Sequence, residues 1–348
     1  MSGAFKNKED FFMKKLVALA LALVLVMSAA CALAAFPDKT MTLIVPWNAG
    51  GSSDLIGRLL CAEMEQDLGQ KISVVNTPGA TGTVGMNDCL LAPHDGYTLI
   101  ANATPYSHGV MGLADWSPKD WDFFAAYYVP GIIAVNKDSE YKTFDQLFAA
   151  IKEGKATCGT AGLGSTGYTN MCILAAVDEA FNPATGAYKH IAYSGGAAAV
   201  TAVISGEVNF TPQLSNEMID YLRSGDMVAL AALTEEDLVL DGVSYTIPSI
   251  KNFLPESEKV LPCGDAFGLL FPSDIPEENK AILEASYLKA CESEAAKNFA
   301  TEKGVMLSAY NLAESNALKD AAAHDAGWIL YDSGAGINSP EQYGYPRQ

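Results

Sequence analysis

Hydrophobic positions along the chain fall into short β-branched runs that alternate with longer segments of helical period. Thr40–Pro46 (TMTLIVP) is too short for a stable helix and rich in Ile, Val and Thr, so it predicts a buried strand. Leu55, Ile56, Leu59, Leu60, Met64 and Leu68 then recur at helical spacing, with Gly69 as the stop. Lys71–Asn76 predicts a second strand, the segment carrying Val84, Cys89 and Leu90 a helix, and Tyr97–Ala101 a third strand. That βαβαβ order implies a parallel sheet with helices on its faces. The middle repeats the style, with strands at Gly131–Val135, Ala156–Gly159 and Lys189–Tyr193 and helices at Thr143–Lys152, Thr169–Ala180 and Gly195–Ser205. Met227–Leu233 and Ala266–Phe271 read as further strands, and Pro276–Glu294 and Leu312–Tyr331 as helices. No fixed repeat or low-complexity linker interrupts the pattern. The 348 residues suffice for about two domains, so two α/β lobes are expected to be joined by crossing strands.

The amino terminus stands apart. Lys14 and Lys15 precede an apolar run from Leu16 to Met27 that grades into small residues up to Ala35. The run is too short and Ala-rich for a membrane span and fits an export signal over residues 1–34. Two processing patterns stay open. Ala32-Leu33-Ala34 is an A-x-A site, whereas Ser28-Ala29-Ala30-Cys31 is a lipobox-like stretch that would lipidate Cys31, with Ser28 where Leu is usual. The expected location is the periplasm or the outer face of the membrane, with or without a lipid anchor. The formal charge of −19 argues against a nucleic-acid or anionic-membrane partner. A small anion is not excluded, because helix N-termini bind anions without Lys or Arg. Cys61, Cys89, Cys158, Cys172, Cys263 and Cys291 form no C-x-x-C pair and read as buried thiols, with a Cys158–Cys172 disulfide left open.

Three Gly-rich loops carry the candidate chemistry. Pro46-Trp47-Asn48-Ala49-Gly50-Gly51-Ser52-Ser53-Asp54 joins the C-terminal end of a strand to a helix, the end at which open α/β sheets collect ligands. Gly50 and Gly51 allow close backbone approach, and Ser52 or Ser53 also suits a helix cap, with Asp54 complementing the dipole. No Lys-Ser/Thr follows, so it is not a Walker A loop. The second loop, Cys158 to Gly167, contains Gly162-x-Gly164-x-x-Gly167, a literal dinucleotide fingerprint. The required acid about 20 residues on is replaced by Tyr188-Lys189-His190-Ile191, which disfavours a nicotinamide cofactor. The third loop, Tyr193-Ser194-Gly195-Gly196, again enters a helix.

Catalytic candidates are sparse. The four histidines are His94, His108, His190 and His324; no nucleophile elbow, zinc motif or metal-ligand spacing accompanies them. His108, near the end of the third strand, is placed to line a cleft. Trp116, Trp121, Phe123, Phe124, Tyr127 and Tyr128 read as core and hinge packing. A hydrolase or transferase using Ser52 or Ser165 would need a base within hydrogen-bond reach, and no spacing supplies one. Binding without chemistry, metal or cofactor is the expectation.

An ordered set of motifs gives this pattern a family. Phe36-Pro37-Asp38-Lys39, Leu43-Ile44-Val45-Pro46, Ala49-Gly50-Gly51-x-x-Asp54, Leu68-Gly69-Gln70, Asn76-x-Pro78-Gly79-Ala80-x-Gly82 and Pro93-x-Asp95-Gly96-Tyr97-Thr98-Leu99 occur in succession. Gly159-Thr160-x-Gly162-x-Gly164-Ser165, Tyr193-x-Gly195-Gly196-Ala197, Gly206-x-Val208, Phe267-Gly268-Leu269 and Pro272 follow. The chain resembles the substrate-binding proteins of tripartite tricarboxylate transporters, also called Bug or TctC-type proteins. The resemblance implies a two-lobed periplasmic-binding-protein-like fold (type II), each lobe a mostly parallel sheet flanked by helices. It also implies lobe 1 over 36–130 plus 265–348 and lobe 2 over 131–264. The expected function is to capture a small organic carboxylate, such as a di- or tricarboxylate, and deliver it, as a monomer, to membrane permease subunits. The implied ligand-binding residues are Trp47, Asn48, Ala49, Gly50, Gly51, Ser52, Ser53 and Asp54 on the first loop, and Thr160, Gly162, Gly164, Ser165 and Thr166 on the second. Thr104, His108, Tyr193, Gly195 and Gly196 complete the cleft. Trp47-Asn48, Tyr168-Thr169-Asn170 and Asn209 depart from the family pattern and bear on which solute is bound. A ligand-presenting sensor with the same cleft is the alternative role.

Overall fold

In the computed structural model the described residues are 36–347; the expected export signal, 1–34, and Cys31 lie outside them. From residue 40 onward the strands β1 (Met41–Val45), β2 (Ile72–Asn76), β3 (Thr98–Ala103), β4 (Trp121–Pro130), β5 (Ile132–Asn136), β6 (Thr157–Thr160), β7 (Lys189–Ala192), β8 (Phe210–Thr211), β9 (Met227–Ala232), β10 (Gly264–Pro272) and β11 (Met306–Leu307) build two sheets. The first runs β2-β1-β3-β10-β4-β11 and the second β7-β6-β8-β5-β9. Helices α1 (Ser52–Leu68), α2 (Thr83–Leu91), α3 (Ser107–Val110), α4 (Phe144–Lys152), α5 (Thr166–Leu174), α6 (Gly196–Ile204), α7 (Ser215–Ser224), α8 (Glu277–Glu292), α9 (Glu294–Lys303) and α10 (Leu312–Asp332) flank them. This is a two-lobed α/β fold.

The parallel sheet expected from the βαβαβ start holds for β1 with β2 and β3. β10, however, runs antiparallel to both β3 and β4, and β5 antiparallel to both β8 and β9. Both strands arrive straight from the other lobe, so no helical crossover forces them parallel. Most strands of each sheet still share one direction.

The largest departure from the sequence pattern is β4. Its ten residues, WDFFAAYYVP, are nearly all buried, so the polar–apolar alternation that marks a half-exposed strand is missing. Phe124 stacks on Tyr287 of α8 at 4.7 Å between centroids, anchoring the helical layer to the first sheet. The second lobe closes on a stack in which Phe148 lies 5.7 Å from Phe144 and 4.9 Å from Phe181. The helix expected over 276–294 ends at Glu292 and a new one begins at Glu294. Between them Ser293 is extended, and its side chain accepts a hydrogen bond from Ala296 N at 3.1 Å. The helix expected from Thr169 begins three residues earlier, at Thr166, and stops at Leu174. The six cysteines from Cys61 onward are buried free thiols, Cys158 and Cys172 included.

The chain passes between the sheets twice, at Gly131 and at Cys263. A ring of backbone bonds ties these passages together: Gly131 N donates to Cys263 O (3.0 Å), Cys263 N to Leu233 O (2.8 Å), and Leu233 N to Gly131 O (2.9 Å). The two passages thus meet in one small knot of backbone.

Candidate functional site

Between the two sheets lies a cavity of about 200 Å3. Its wall is built mainly from segments that leave strand ends and enter helices, because α1, α5 and α6 all start there. The first N–H groups of a helix have no intrahelical acceptor. Ser53, Thr166, Ala197 and Ala198 thus bring unsatisfied first-turn donors to one small space.

The first loop is shaped from beneath. Gly50 has φ +91°, a left-handed conformation, and its N–H donates to Asp54 Oδ2 at 3.0 Å. Asp54 Oδ1 also accepts from Arg58 Nε (2.8 Å) and Asn76 Nδ2 (3.0 Å), while Asn76 Nδ2 reaches Trp47 O. The cap position of α1 falls on Gly51, which has no side chain of its own to cap it, contrary to the serine cap read from sequence. A Cβ on Gly50 would meet no protein atom within 4 Å, so within the fold the requirement for glycine is conformational. Gly50→Ala is expected to lose about 1 kcal/mol of stability, measured by urea unfolding; an unchanged midpoint would show that the turn relaxes freely.

The second loop is held likewise. Ser165 Oγ donates to Gly162 O (2.7 Å), Gly162 N donates to Thr160 Oγ1 (3.1 Å), and the Thr160 hydroxyl pairs with His190 Nε2 (2.7 Å). Several hydrogen bonds join the two lobes across the cleft. Asn48 Nδ2 donates to Ser194 Oγ (2.8 Å), Ser107 Oγ to Gly164 O (3.0 Å), and Ser52 Oγ to Asn216 Oδ1 (2.8 Å). The lobes are closed on each other in this form.

Of the residues expected from sequence, Trp47, Asn48, Ala49, Gly51, Ser52, Ser53, Thr104, His108, Gly164, Ser165, Thr166, Gly195 and Gly196 line the cavity. Gly162 and Tyr193 line an adjoining depression of about 290 Å3 that shares Trp47, Asn48 and Ala161 with it. Gly50, Asp54 and Thr160 line neither; they brace the loops from behind. Sequence reasoning missed Asn102, Gln213, Glu217, Asp265 and Phe267. Asn102 Oδ1 accepts from Trp47 Nε1 at 2.9 Å and so orients the indole.

Glu217 and Asp265 dominate the electrostatics. Glu217 Oε1 accepts from the N–H of Ser52 at 3.2 Å and lies 3.2 Å from its hydroxyl, which seats a protein carboxylate at the start of α1. Burial pushes its pKa up to about 7 against those stabilising contacts. Asp265 accepts from Thr104 N (3.3 Å) and Ala266 N (2.9 Å), and burial likewise raises it to about 7. Burial lowers His108 to about 4, so its imidazole is neutral at physiological pH. An acid with a raised folded pKa binds more protons folded than unfolded, so its contribution is fullest below its unfolded value near 4 and is lost as pH rises to about 7. Glu217 and Asp265 therefore lower the melting temperature of the unliganded protein between pH 4.5 and pH 7.5. They are opposed by His108, whose depressed pKa adds stability as pH rises. Glu217→Gln and Asp265→Asn are each expected to flatten the decline. A wild-type curve no steeper than the variants' would refute this.

Among the described residues no group of three or more His, Cys, Asp or Glu is arranged to hold a metal ion, and no helix is long and apolar enough to cross a membrane.

A family model described as the tripartite tricarboxylate transporter family receptor matches residues 56–330. A protein encoded in the tcbD-tcbE intergenic region of Pseudomonas sp. (strain P51) is 31% identical over 230 residues. That stretch is 62% of this chain and 66% of the relative, so the chain spans just under two thirds of the relative's length. The periplasmic binding protein BugD superposes with a TM-score of 0.76 at 20% identity, covering 86% of this chain and 99% of that one. MatC from Rhodopseudomonas palustris with bound malate superposes with a TM-score of 0.74 at 22% identity, covering 85% and 100%.

Proposed function

This chain belongs to the tripartite tricarboxylate transporter receptor family, and from that premise we propose that it is an extracytoplasmic solute-binding protein. It closes on a small organic carboxylate and hands it to the permease subunits of a tripartite transporter, acting as a monomeric receptor and not as an enzyme. The observation that carries this reading is the convergence of the α1, α5 and α6 N-termini on one enclosed cavity, a ready arrangement for a carboxylate. The malate in MatC is an instance of such a ligand in a protein of similar fold. The lobes divide at 130/131 and 264/265, residues 1–34 direct export, and Cys31 is the residue that a lipoprotein signal would modify.

The solute-contacting set is Trp47, Asn48, Ala49, Gly51, Ser52, Ser53, Thr104, His108, Gly164, Ser165, Thr166, Gly195 and Gly196, joined by Glu217 and Asp265. A serine hydrolase fits less well, since the Ser165 hydroxyl is committed to its own loop at Gly162 O. A thermal-shift screen of di- and tricarboxylates, amino acids and aromatic acids tests the proposal. A ligand at 100 times its Kd stabilises by about 2.7 kcal/mol, enough to register. A flat response to every acid would overturn it.

A further inference from the structure

Anion-binding helix ends normally await the ligand, yet here two protein carboxyls already stand among them. Glu217 takes the N–H of Ser52 at the start of α1. It also lies so close to Gly196, at the start of α6, that a Cβ there would overlap its carboxylate. Asp265 stands at the start of α5, where the Thr166 hydroxyl donates to Oδ2 at 3.4 Å. The residues lining the cavity include no Lys or Arg to offset either group.

Both carboxyls keep acceptor capacity. A carboxylate offers about four lone-pair positions. Glu217 Oε1 accepts from Ser52 N and Asp265 Oδ1 from Ala266 N, whereas the bond to each second oxygen is long. For Asp265 Oδ2 that bond is the one from Thr166; for Glu217 Oε2 it comes from the Gln213 amide nitrogen at 3.3 Å, with the amide oxygen facing Ala161 N. A third acceptor stands nearby. His108 lines the cavity and is 3% exposed; its Nε2 faces Thr81 O at 3.3 Å, and a carbonyl only accepts, so Nε2 carries the proton. The neutral ring then leaves Nδ1 as a buried acceptor with no partner.

Resting on the carboxylate-receptor reading, we propose that the solute is a zwitterion, with an ammonium held by Glu217 and Asp265 beside a carboxylate held at the first turns of α5 and α6. An ammonium brings three donors to these acceptors and a positive charge to a wall without Lys or Arg, neutralising buried charge that is otherwise unpaired. A dicarboxylate of the same length would set its second anionic group against two acids, which is the unpaired-charge penalty that produces discrimination.

Isothermal titration with matched pairs tests this: L-alanine against propionate, L-aspartate against succinate, L-glutamate against glutarate, and L-phenylalanine against 3-phenylpropionate. The amine-bearing member of the pair that binds is expected to be at least tenfold tighter. Glu217→Gln, which keeps an acceptor for Ser52, is expected to shrink that preference severalfold. An acid that binds wild type as tightly as its amino partner overturns the zwitterion assignment and leaves the receptor reading standing. No heat with any of the eight overturns both. The wild-type comparison stands even if the variant fails to fold.

Discussion

Gly268→Ala is expected to leave the protein unfolded or aggregated. β10 and β4 shift register between Phe267 and Gly268, where Ala126 is an extra residue on the β4 side. At that bulge the backbone of β4 comes so near Gly268 that a Cβ would fall on the Phe124 carbonyl oxygen. The obstacle is main chain and not the end of a mobile side chain. The bulged strand is also fixed from its other edge, since Ala126 O accepts from Ser308 N (2.8 Å) and Ala309 N (3.1 Å). Relief therefore requires parting the central strands of the first sheet, at a cost above about 3 kcal/mol. Circular dichroism and urea unfolding check it, with exposed Glu258→Ala as a control expected to stay within about 0.5 kcal/mol of wild type. A folded Gly268→Ala with an unchanged midpoint would show that β4 yields.

Gly196→Val is expected to abolish solute binding while the fold survives. Gly196 is the first residue of α6, has no left-handed backbone to penalise a side chain, and lines the cavity. A Cβ there would collide with the Glu217 carboxylate, which Ser52 anchors from the opposite lobe. Glu217 must then either leave the start of α1 or swing into the space the solute needs. Both outcomes dismantle the closed site. A fall in affinity on the order of a hundredfold, about 3 kcal/mol, is expected for whichever acid the thermal screen returns. Undiminished binding by calorimetry would mean that Glu217 is displaced at no cost to the site.

The loops were legible in the sequence because glycine clusters between a β-branched run and a helical run have few other uses. Trp47 to Ser53 and Gly164 to Thr166 were found in this way. Gly50, Asp54 and Thr160 belong to the same segments yet face away from the cavity, and spacing alone does not separate a lining residue from its brace. Glu217 left no trace, since β8 before it has only two residues and the start of α7 carries no side-chain cap. Asp265 and Phe267 share one face of β10 by the two-residue strand period, but only the register against β3 shows that this face meets the cleft. β4 escaped because burial on both sides erased its alternation, and with it the antiparallel half of the first sheet.

The place of β10 also sets an order in time. It fills the centre of the first sheet, between β3 and β4, although it is the tenth of the described strands to leave the ribosome. Every strand of the second sheet has been made by Ala232, whereas the first sheet stays split, with β1, β2 and β3 on one side and β4 on the other, until Pro272 has emerged. The lobe whose sequence begins first is thus the one that finishes last. Its unpaired inner edges at β3 and β4 are the segments in need of shielding while the chain is still growing.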